Sequence, residues 1–79
     1  MIRIGTQCRY ELDGIVGHGV VIGYPKYSPA GEIVMLATEQ AHGMPINEHW
    51  VTPQGGDLLD DANRYRDRYQ RLYPGFLAE

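Results

Sequence analysis

Three histidines and a single cysteine, His18, His42, His49 and Cys8, are the side chains of this sequence best suited to chemistry. Imidazole and thiolate groups bind zinc, and a cysteine activated by a histidine is a nucleophile. Zinc ligands usually come as closely spaced pairs on one turn or one helix face, and none of these residues forms such a pair. We therefore predict no metal site and no catalytic residue, with the histidines at the surface or at caps and Cys8 packed as a small apolar side chain.

Acidic residues and glycines suggest two other kinds of site, and both have simpler explanations. Asp60 and Asp61 are adjacent, but they lie where a helix is expected to begin, and a helix N-terminus favours negative charge. The glycines between positions 14 and 23 are followed by more strand rather than by a helix, so they do not form a dinucleotide-binding loop. We interpret them as bends of a strand at the corner of a small β-barrel.

Aromatic side chains near the expected loops and strand ends give the strongest indication of binding. SH3-type barrels place aromatic residues there to line a groove for extended or proline-rich peptides. We predict that partner or ligand contacts come from Tyr10, Tyr24, Tyr27, Trp50 and Ile46. Tyr27 lies between two prolines and should be the most exposed of them. Trp50 and Tyr24 have an alternative role as partly buried core aromatics.

Short apolar runs separated by turn residues predict a mainly β fold. The Asp13-Gly14 pair is typical of a hairpin turn, and the apolar run 32–38 is short and bounded by turn residues, which favours a strand over a helix. We predict strands at 7–12, 15–24 and 32–38, then a short strand, one helical turn and a last strand within 46–53, with loops at 25–31 and 39–45. Five strands of this kind, with a bent second strand, describe a small SH3-like barrel.

The residues after a linker at 54–56 predict a single amphipathic helix. Its apolar side chains recur at alternating intervals of four and three residues and so form one stripe: Leu58, Ala62, Tyr65, Tyr69 and Leu72. The stripe must pack either on the barrel of the same chain or on another subunit, and the pattern allows both. We assign residues 1–56 to the barrel and 57–79 to the C-terminal helix and tail of the same domain.

Composition and charge limit the classes of partner. The 79 residues contain seven Lys and Arg against ten Asp and Glu, for a formal net charge of −3. Phosphate binding needs a cationic excess, so a nucleic-acid partner is not expected. No run approaches the roughly 20 apolar residues of a membrane span, no signal-peptide pattern is present, and a single cysteine fits a reducing compartment. We expect a cytoplasmic protein without membrane association.

Four segments follow the pattern of one known family. Residues 5–9 resemble its opening Gly-Asp-x-Val-Arg, 19–24 its glycine-containing second strand, 28–31 its Thr-Pro-Glu-Gly loop and 39–43 its Glu-Ala-His-Pro-Gly. The family is that of the plasmid-borne, trimethoprim-insensitive dihydrofolate reductases of type II or B, to whose SH3-like barrel residues 5–53 are similar. The resemblance implies the same small barrel and a source on a mobile genetic element.

The resemblance also implies where a reductase site would lie. The family is a homotetramer whose central pore binds NADPH and dihydrofolate through a Val-Gln-Ile-Tyr segment and a lysine at the pore mouth. In this register the segment falls on residues 44–47, where only Ile46 matches, and the lysine position falls on Tyr10. The resemblance therefore covers the fold better than the residues that bind cofactor and substrate.

Taken together, the residues predict a small interaction or ligand-binding module that associates with itself, takes a protein or peptide partner and needs no cofactor. The first alternative is a divergent NADPH-dependent dihydrofolate reductase that acts as a homotetramer. The second alternative is a nucleic-acid-binding small barrel, which the acidic balance of the chain disfavours.

Overall fold

The computed structural model describes residues 1–28 and 32–78 of the chain. They form a mainly β fold whose elements follow in this order: β1 (Gln7–Leu12), β2 (Ile15–Gly23), β3 (Ile33–Ala37), β4 (Met44–Asn47), a 3-10 turn (Glu48–Trp50), β5 (Val51–Gly55) and α1 (Leu59–Leu72). The strands build one antiparallel sheet in the order β4-β3-β2-β1-β5. The predicted fold of five strands and a C-terminal helix is confirmed.

The two ends of this sheet are the edge strands β4 and β5. No ladder joins them among residues 1–28 and 32–78, so the sheet is open and its closure into a barrel stays a prediction. Each edge strand carries a proline, Pro45 in β4 and Pro53 in β5. Proline has no N–H to donate and is tolerated at sheet edges, where it also hinders the addition of another strand.

Several predicted boundaries differ from the observed ones. The predicted turn at 39–45 ends earlier, because Met44 and Pro45 pair with Leu36 and Met35 of β3. The predicted linker begins later, because β5 continues to Gly55, which pairs with β1 across a register shift. The predicted loop at 25–31 includes residues 29–31, which lie outside the described residues.

The β1–β2 hairpin explains the glycine of its turn, Gly14, and one glycine of β2, Gly17. Asp13 and Gly14 both have positive φ angles, 53° and 77°, as a type I′ turn requires. Gly17 lies directly opposite Tyr10 in the ladder, and a Cβ at Gly17 would overlap the Tyr10 ring. The glycine therefore gives the aromatic ring room to lie flat against the neighbouring strand.

Apolar side chains pack on both faces of the sheet. One face carries the inner cluster, which contains Cys8, Val21, Tyr24, Val34, Leu36, Ile46 and Val51. The other face carries the outer cluster of Ile22, Met35, Ala37, Tyr69 and Leu77. Successive residues of β3 alternate between the two clusters, which explains why that strand is apolar throughout. We call the side of the sheet with the outer cluster the outer face.

Helix α1 packs on the sheet of its own chain. Ala62 and Tyr69 are buried, and the Arg66 guanidinium donates hydrogen bonds to the carbonyl oxygens of Ile22, at 2.8 Å, and Ala78, at 2.7 Å. Of the two packing partners that the helix stripe allowed, its own chain or another subunit, the structure shows the first. The described helix is also too short and too polar to cross a membrane.

The two ends of the predicted stripe do not take part in this packing. Leu72 is 52% exposed and Leu58 is half-buried outside the first helical turn, while Tyr65 is half-buried at the edge of the outer cluster. At the Leu72 end the chain turns back after α1, and Leu77 from the following segment covers the sheet instead. An isolated bridge between Pro25 and Leu77 and a hydrogen bond from the Ala78 N–H to the Tyr24 carbonyl, at 2.7 Å, hold this C-terminal segment in place.

Candidate functional site

The five predicted contact residues do not form one surface. Trp50 and Tyr27 are exposed at 54% and 64%, Tyr10 is half-buried, and Tyr24 and Ile46 are buried at 9% and 3%. Tyr24 and Ile46 belong to the inner cluster, so the structure places neither on an exposed surface of the chain. The alternative core role holds for Tyr24 and not for Trp50.

The Tyr24 hydroxyl and the Cys8 thiol are buried groups with reactive potential, and both are hydrogen-bonded to backbone carbonyls. The Tyr24 hydroxyl donates a hydrogen bond to the Ile2 carbonyl, and burial, assisted by the Glu48 charge, raises the pKa of Tyr24. Burial also raises the pKa of the Cys8 thiol, which donates to the Thr6 carbonyl at 3.7 Å. A thiol kept protonated is a poor nucleophile, so Cys8 acts as the small core residue that its sequence position predicts.

The histidines are also apart from one another. His18, His42 and His49 are all exposed, as predicted, and they lie on β2, on the β3–β4 connection and in the 3-10 turn. Over the part of the chain that the structure describes, no group of three or more His, Cys, Asp or Glu side chains could hold a metal ion.

Trp50 lines a shallow groove on the outer face, which we call the Trp50 groove. Its volume is about 240 Å³, and its lining residues are Arg9, Glu11, His49, Trp50 and Thr52. Arg9 and Thr52 are directly paired across β1 and β5, so both project from the same face of the sheet. Trp50 is thereby held beside a row of polar side chains.

A local cap fixes the position of Trp50. The Asn47 side chain accepts a hydrogen bond of 2.9 Å from the His49 N–H and so closes the start of the 3-10 turn. The N–H of Val51 bonds back to the Glu48 carbonyl at the other end of the turn. Because the turn is capped at both ends and β5 follows at once, the backbone under Trp50 is set before any partner binds.

The Trp50 groove carries charges of both signs. Arg9 and Glu11 approach to 3.9 Å, and both side chains are substantially exposed, so the pair contributes little to stability. Its charges stay accessible to a partner. The groove therefore combines an exposed aromatic face with charged and hydrogen-bonding groups at its rim.

Tyr27 lies in a different place, the C-terminal aromatic cluster of Tyr27, Tyr69, Tyr73 and Phe76. Its ring is 5.2 Å from Phe76, which in turn lies 6.1 Å from Tyr69, and Tyr69 is 5.0 Å from Tyr73. Centroid distances of this size are typical of packed aromatic pairs. Tyr27 therefore packs against the segment that follows α1, and the structure does not bring it together with Trp50, with which the sequence pattern grouped it.

A second groove, which the sequence did not predict, lies between α1 and the outer face. This helix groove has a volume of about 390 Å³ and is lined by Gln7, His18, Gly19, Val20, Ala37, Thr38, Glu39, Tyr65 and Arg68. The Arg68 guanidinium lies 5.3 Å from the Tyr65 ring centre, a cation–π distance. Its lining comes from three strands, a loop and the helix, so no local motif could have shown it.

Tyr10 lines a further concavity beside the β1–β2 hairpin. This space of about 300 Å³ also contacts His18 and Glu39, and Ile15 and Val16 form its outer wall. Tyr10 packs against the inner cluster, on the face of the sheet opposite Arg9 and Thr52, and so lies apart from Trp50. A search of family models, of curated proteins and of solved structures finds no match to this chain.

Proposed function

We propose that this chain is a small binding module that holds an extended, proline-containing peptide on Trp50. The observation that carries the proposal is the 54% exposure of Trp50 within a groove of polar side chains. A tryptophan in water leaves a large apolar area unburied, and partner surfaces gain much of their affinity by covering such a side chain. The preformed backbone under Trp50 lowers the ordering cost of binding.

The size of the Trp50 groove favours a peptide over a small molecule. Pockets that enclose small ligands usually have volumes of about 300 to 1,000 Å³ and bury most of the ligand. The Trp50 groove, at about 240 Å³, lies below that range. A peptide that crosses the groove would cover the indole ring with one residue and contact the rim with its neighbours.

The edge of the sheet favours recognition by side chains over addition of a strand. A peptide that joined β5 as a sixth strand would need the backbone donors of that edge, and Pro53 supplies none. A polyproline II segment needs no such ladder, and its backbone is already extended in solution. Aromatic grooves bind segments of this type through the faces of proline rings.

The test uses the fact that Trp50 is the single tryptophan of the chain, so its fluorescence reports on the groove directly. A phage-displayed library of dodecapeptides with a central Pro-Pro pair is selected on the wild-type protein, and the enriched peptides are synthesised and titrated. We expect saturable changes in Trp50 emission. Peptide affinity for Trp50→Ala, measured by calorimetry, should fall at least tenfold, which corresponds to about 1.4 kcal/mol.

The matched control is Tyr27→Ala, which removes an exposed aromatic side chain from the C-terminal aromatic cluster. It should leave the peptide affinity unchanged, because Tyr27 packs on Phe76 and does not line the Trp50 groove. Peptides that bind Trp50→Ala as tightly as the wild type would overturn the proposal, provided that the variant keeps its circular dichroism spectrum.

The two alternative functions are weaker proposals. A reductase pore would need Ile46 at a surface shared by four subunits, and Ile46 is 3% exposed within the inner cluster of one chain. NADPH oxidation with dihydrofolate in the presence of trimethoprim tests that activity. Nucleic-acid binding would show an affinity that falls strongly with salt concentration. The net charge of −3 argues against such binding.

Self-association is a separate proposal. With α1 packed on its own sheet, the apolar side chains left at the hairpin tip are Ile15 and Val16, exposed at 68% and 47%. Light scattering after size exclusion, at several concentrations, measures the mass of the wild type. A dimer or tetramer that dissociates in Ile15→Ser would place the contact at this tip.

A further inference from the structure

A row of three side chains connects the Trp50 groove with the helix groove. Arg9 of β1 is paired with Thr52 of β5 on one side and with His18 of β2 on the other. Paired residues project from the same face of a sheet, so these side chains form one line across the outer face. Arg9 and Thr52 line the Trp50 groove and His18 lines the helix groove. The two grooves are therefore the ends of one track.

The far end of this track presents Arg68, which has no acidic partner among the described residues. Arg64 forms an ion pair with Asp61, and Arg66 donates to two backbone carbonyls. Within residues 1–28 and 32–78, no carboxylate lies within ion-pair distance of Arg68. Its guanidinium is instead held over the Tyr65 ring, which orients it beside the helix groove.

We infer that the peptide continues along this track and places an acidic side chain against Arg68. The inference rests on the proposed function, because it assumes that the peptide is anchored on Trp50. Guanidinium groups bind carboxylates through paired hydrogen bonds, and His18 adds a second donor at the same end. The bound peptide is then defined by two features, a proline segment at Trp50 and an acid at Arg68.

The dimensions of the fold set the spacing between the two features. Adjacent strands are about 4.8 Å apart, so the step from β5 to β2 covers about 10 Å. Helix α1 stands above the sheet and adds a few ångströms to the path. An extended peptide advances about 3.1 Å per residue, so the acidic residue follows or precedes the proline segment by about three to five residues.

Glu39 limits the number of acidic peptide side chains that can bind in the helix groove. It is the one carboxylate that lines the helix groove among the described residues, and it would repel a second acidic side chain. One acid against Arg68 is therefore favoured over an acidic run. Removing the Glu39 charge should raise the affinity for an acidic peptide and leave a neutral peptide unaffected.

The experiment compares synthetic peptides that differ in one residue. Capped decapeptides share a proline segment enriched on Trp50 and carry either glutamate or glutamine about four residues away, on either side. At low salt we expect the glutamate peptide of one orientation to bind about two- to fivefold more tightly, the range of an exposed ion pair. High salt should remove this preference, because exposed charges are screened.

Three variants test whether the preference for the glutamate peptide arises at the helix groove. Arg68→Gln should bring the glutamate-to-glutamine affinity ratio to about one, and Glu39→Gln should increase the ratio. Arg64→Gln is the matched control, because it removes a charge one turn away that Asp61 already neutralises, and the ratio should persist. All three side chains are exposed at the surface, so the fold should be preserved.

The outcomes separate this inference from the proposed function. If both peptides of every pair bind the wild type equally, or if Arg68→Gln keeps the ratio, the acidic contact is overturned and peptide binding on Trp50 still stands. If no peptide changes Trp50 emission, both are overturned. A ratio that collapses in Arg64→Gln as strongly as in Arg68→Gln would also overturn the inference, since the effect would then be a general one of net charge.

Discussion

The two halves of the outer face differ in the side chains that they present and in what covers them. The half formed by β2 and β3 presents Ile22, Met35 and Ala37, and α1 together with Leu77 covers it. The half formed by β1 and β5 presents polar side chains and Trp50, and it stays open. One face of one sheet therefore has a covered half and an open half, because burial is favourable for apolar side chains and costly for polar side chains without partners.

The sharpest test of this division removes an apolar side chain from the covered half. Ile22→Ala should destabilise the protein by about 2 to 5 kcal/mol, because the fully buried side chain leaves a cavity between β2 and α1. Urea unfolding followed by far-UV circular dichroism measures the loss. A change below about 1 kcal/mol would mean that α1 does not pack on β2 as tightly as described.

A smaller effect is expected from the hydrogen bonds that hold the cover. Arg66→Met keeps much of the side-chain volume but removes the donors for the Ile22 and Ala78 carbonyls. Leaving part-buried acceptors unpaired should cost about 1 to 3 kcal/mol. Hydrogen exchange should show the C-terminal segment opening first. Arg64→Met is the control, since that arginine is itself exposed and pairs with Asp61 and the Tyr65 ring at the helix surface, and its effect should stay within about 0.5 kcal/mol.

The covered half should also give the protein a sensitivity to high pH. Burial, assisted by the neighbouring Tyr73 and Tyr27, raises the pKa of Tyr69 above its ordinary value of 10.0. Below that value the tyrosine is neutral in both the folded and the unfolded chain, and its stabilising effect is fully present. As pH rises above it, the unfolded chain ionises first and stability falls. Tyr69→Phe should flatten this decline in unfolding free energy measured from pH 9 to 11.

The smallest effect on stability belongs to the open half. Trp50→Ala removes a side chain that is more than half exposed, so the unfolding free energy should change by about 1 kcal/mol or less. The same variant is expected to lose peptide binding. If Trp50→Ala destabilised the protein as much as Ile22→Ala, the contrast between the two halves would be wrong, and Trp50 would be a core residue.

Much of the fold follows from local patterns in the chain. Asp13-Gly14 supplies the backbone conformation of its turn, the unbroken apolar run of β3 indicates burial on both faces, and the stripe on α1 fixes its helical period. These features depend on neighbours in sequence, so they are visible there. The exact ends of β4 and β5 were missed, because partner strands extend them past residues that would otherwise form turns.

The candidate site was harder to predict, for a physical reason. Tyr24 and Trp50 are both aromatic residues at strand ends, and nothing local distinguishes them. Tyr24 is buried because Ile2, distant in sequence, accepts its hydrogen bond and the inner cluster surrounds its ring. Trp50 is exposed because no described element covers its side of β5.

The sequence by itself determined the strands, the hairpin, the helix and the alternation of apolar side chains, since each depends on the period of a local backbone conformation. Only the tertiary structure decided which half of the outer face α1 covers, which aromatic side chain stays in water, and that Arg68 lies at the far end of a track from Trp50. Those outcomes depend on how elements far apart in the chain pack together, and packing is set by the three-dimensional fit of the whole molecule.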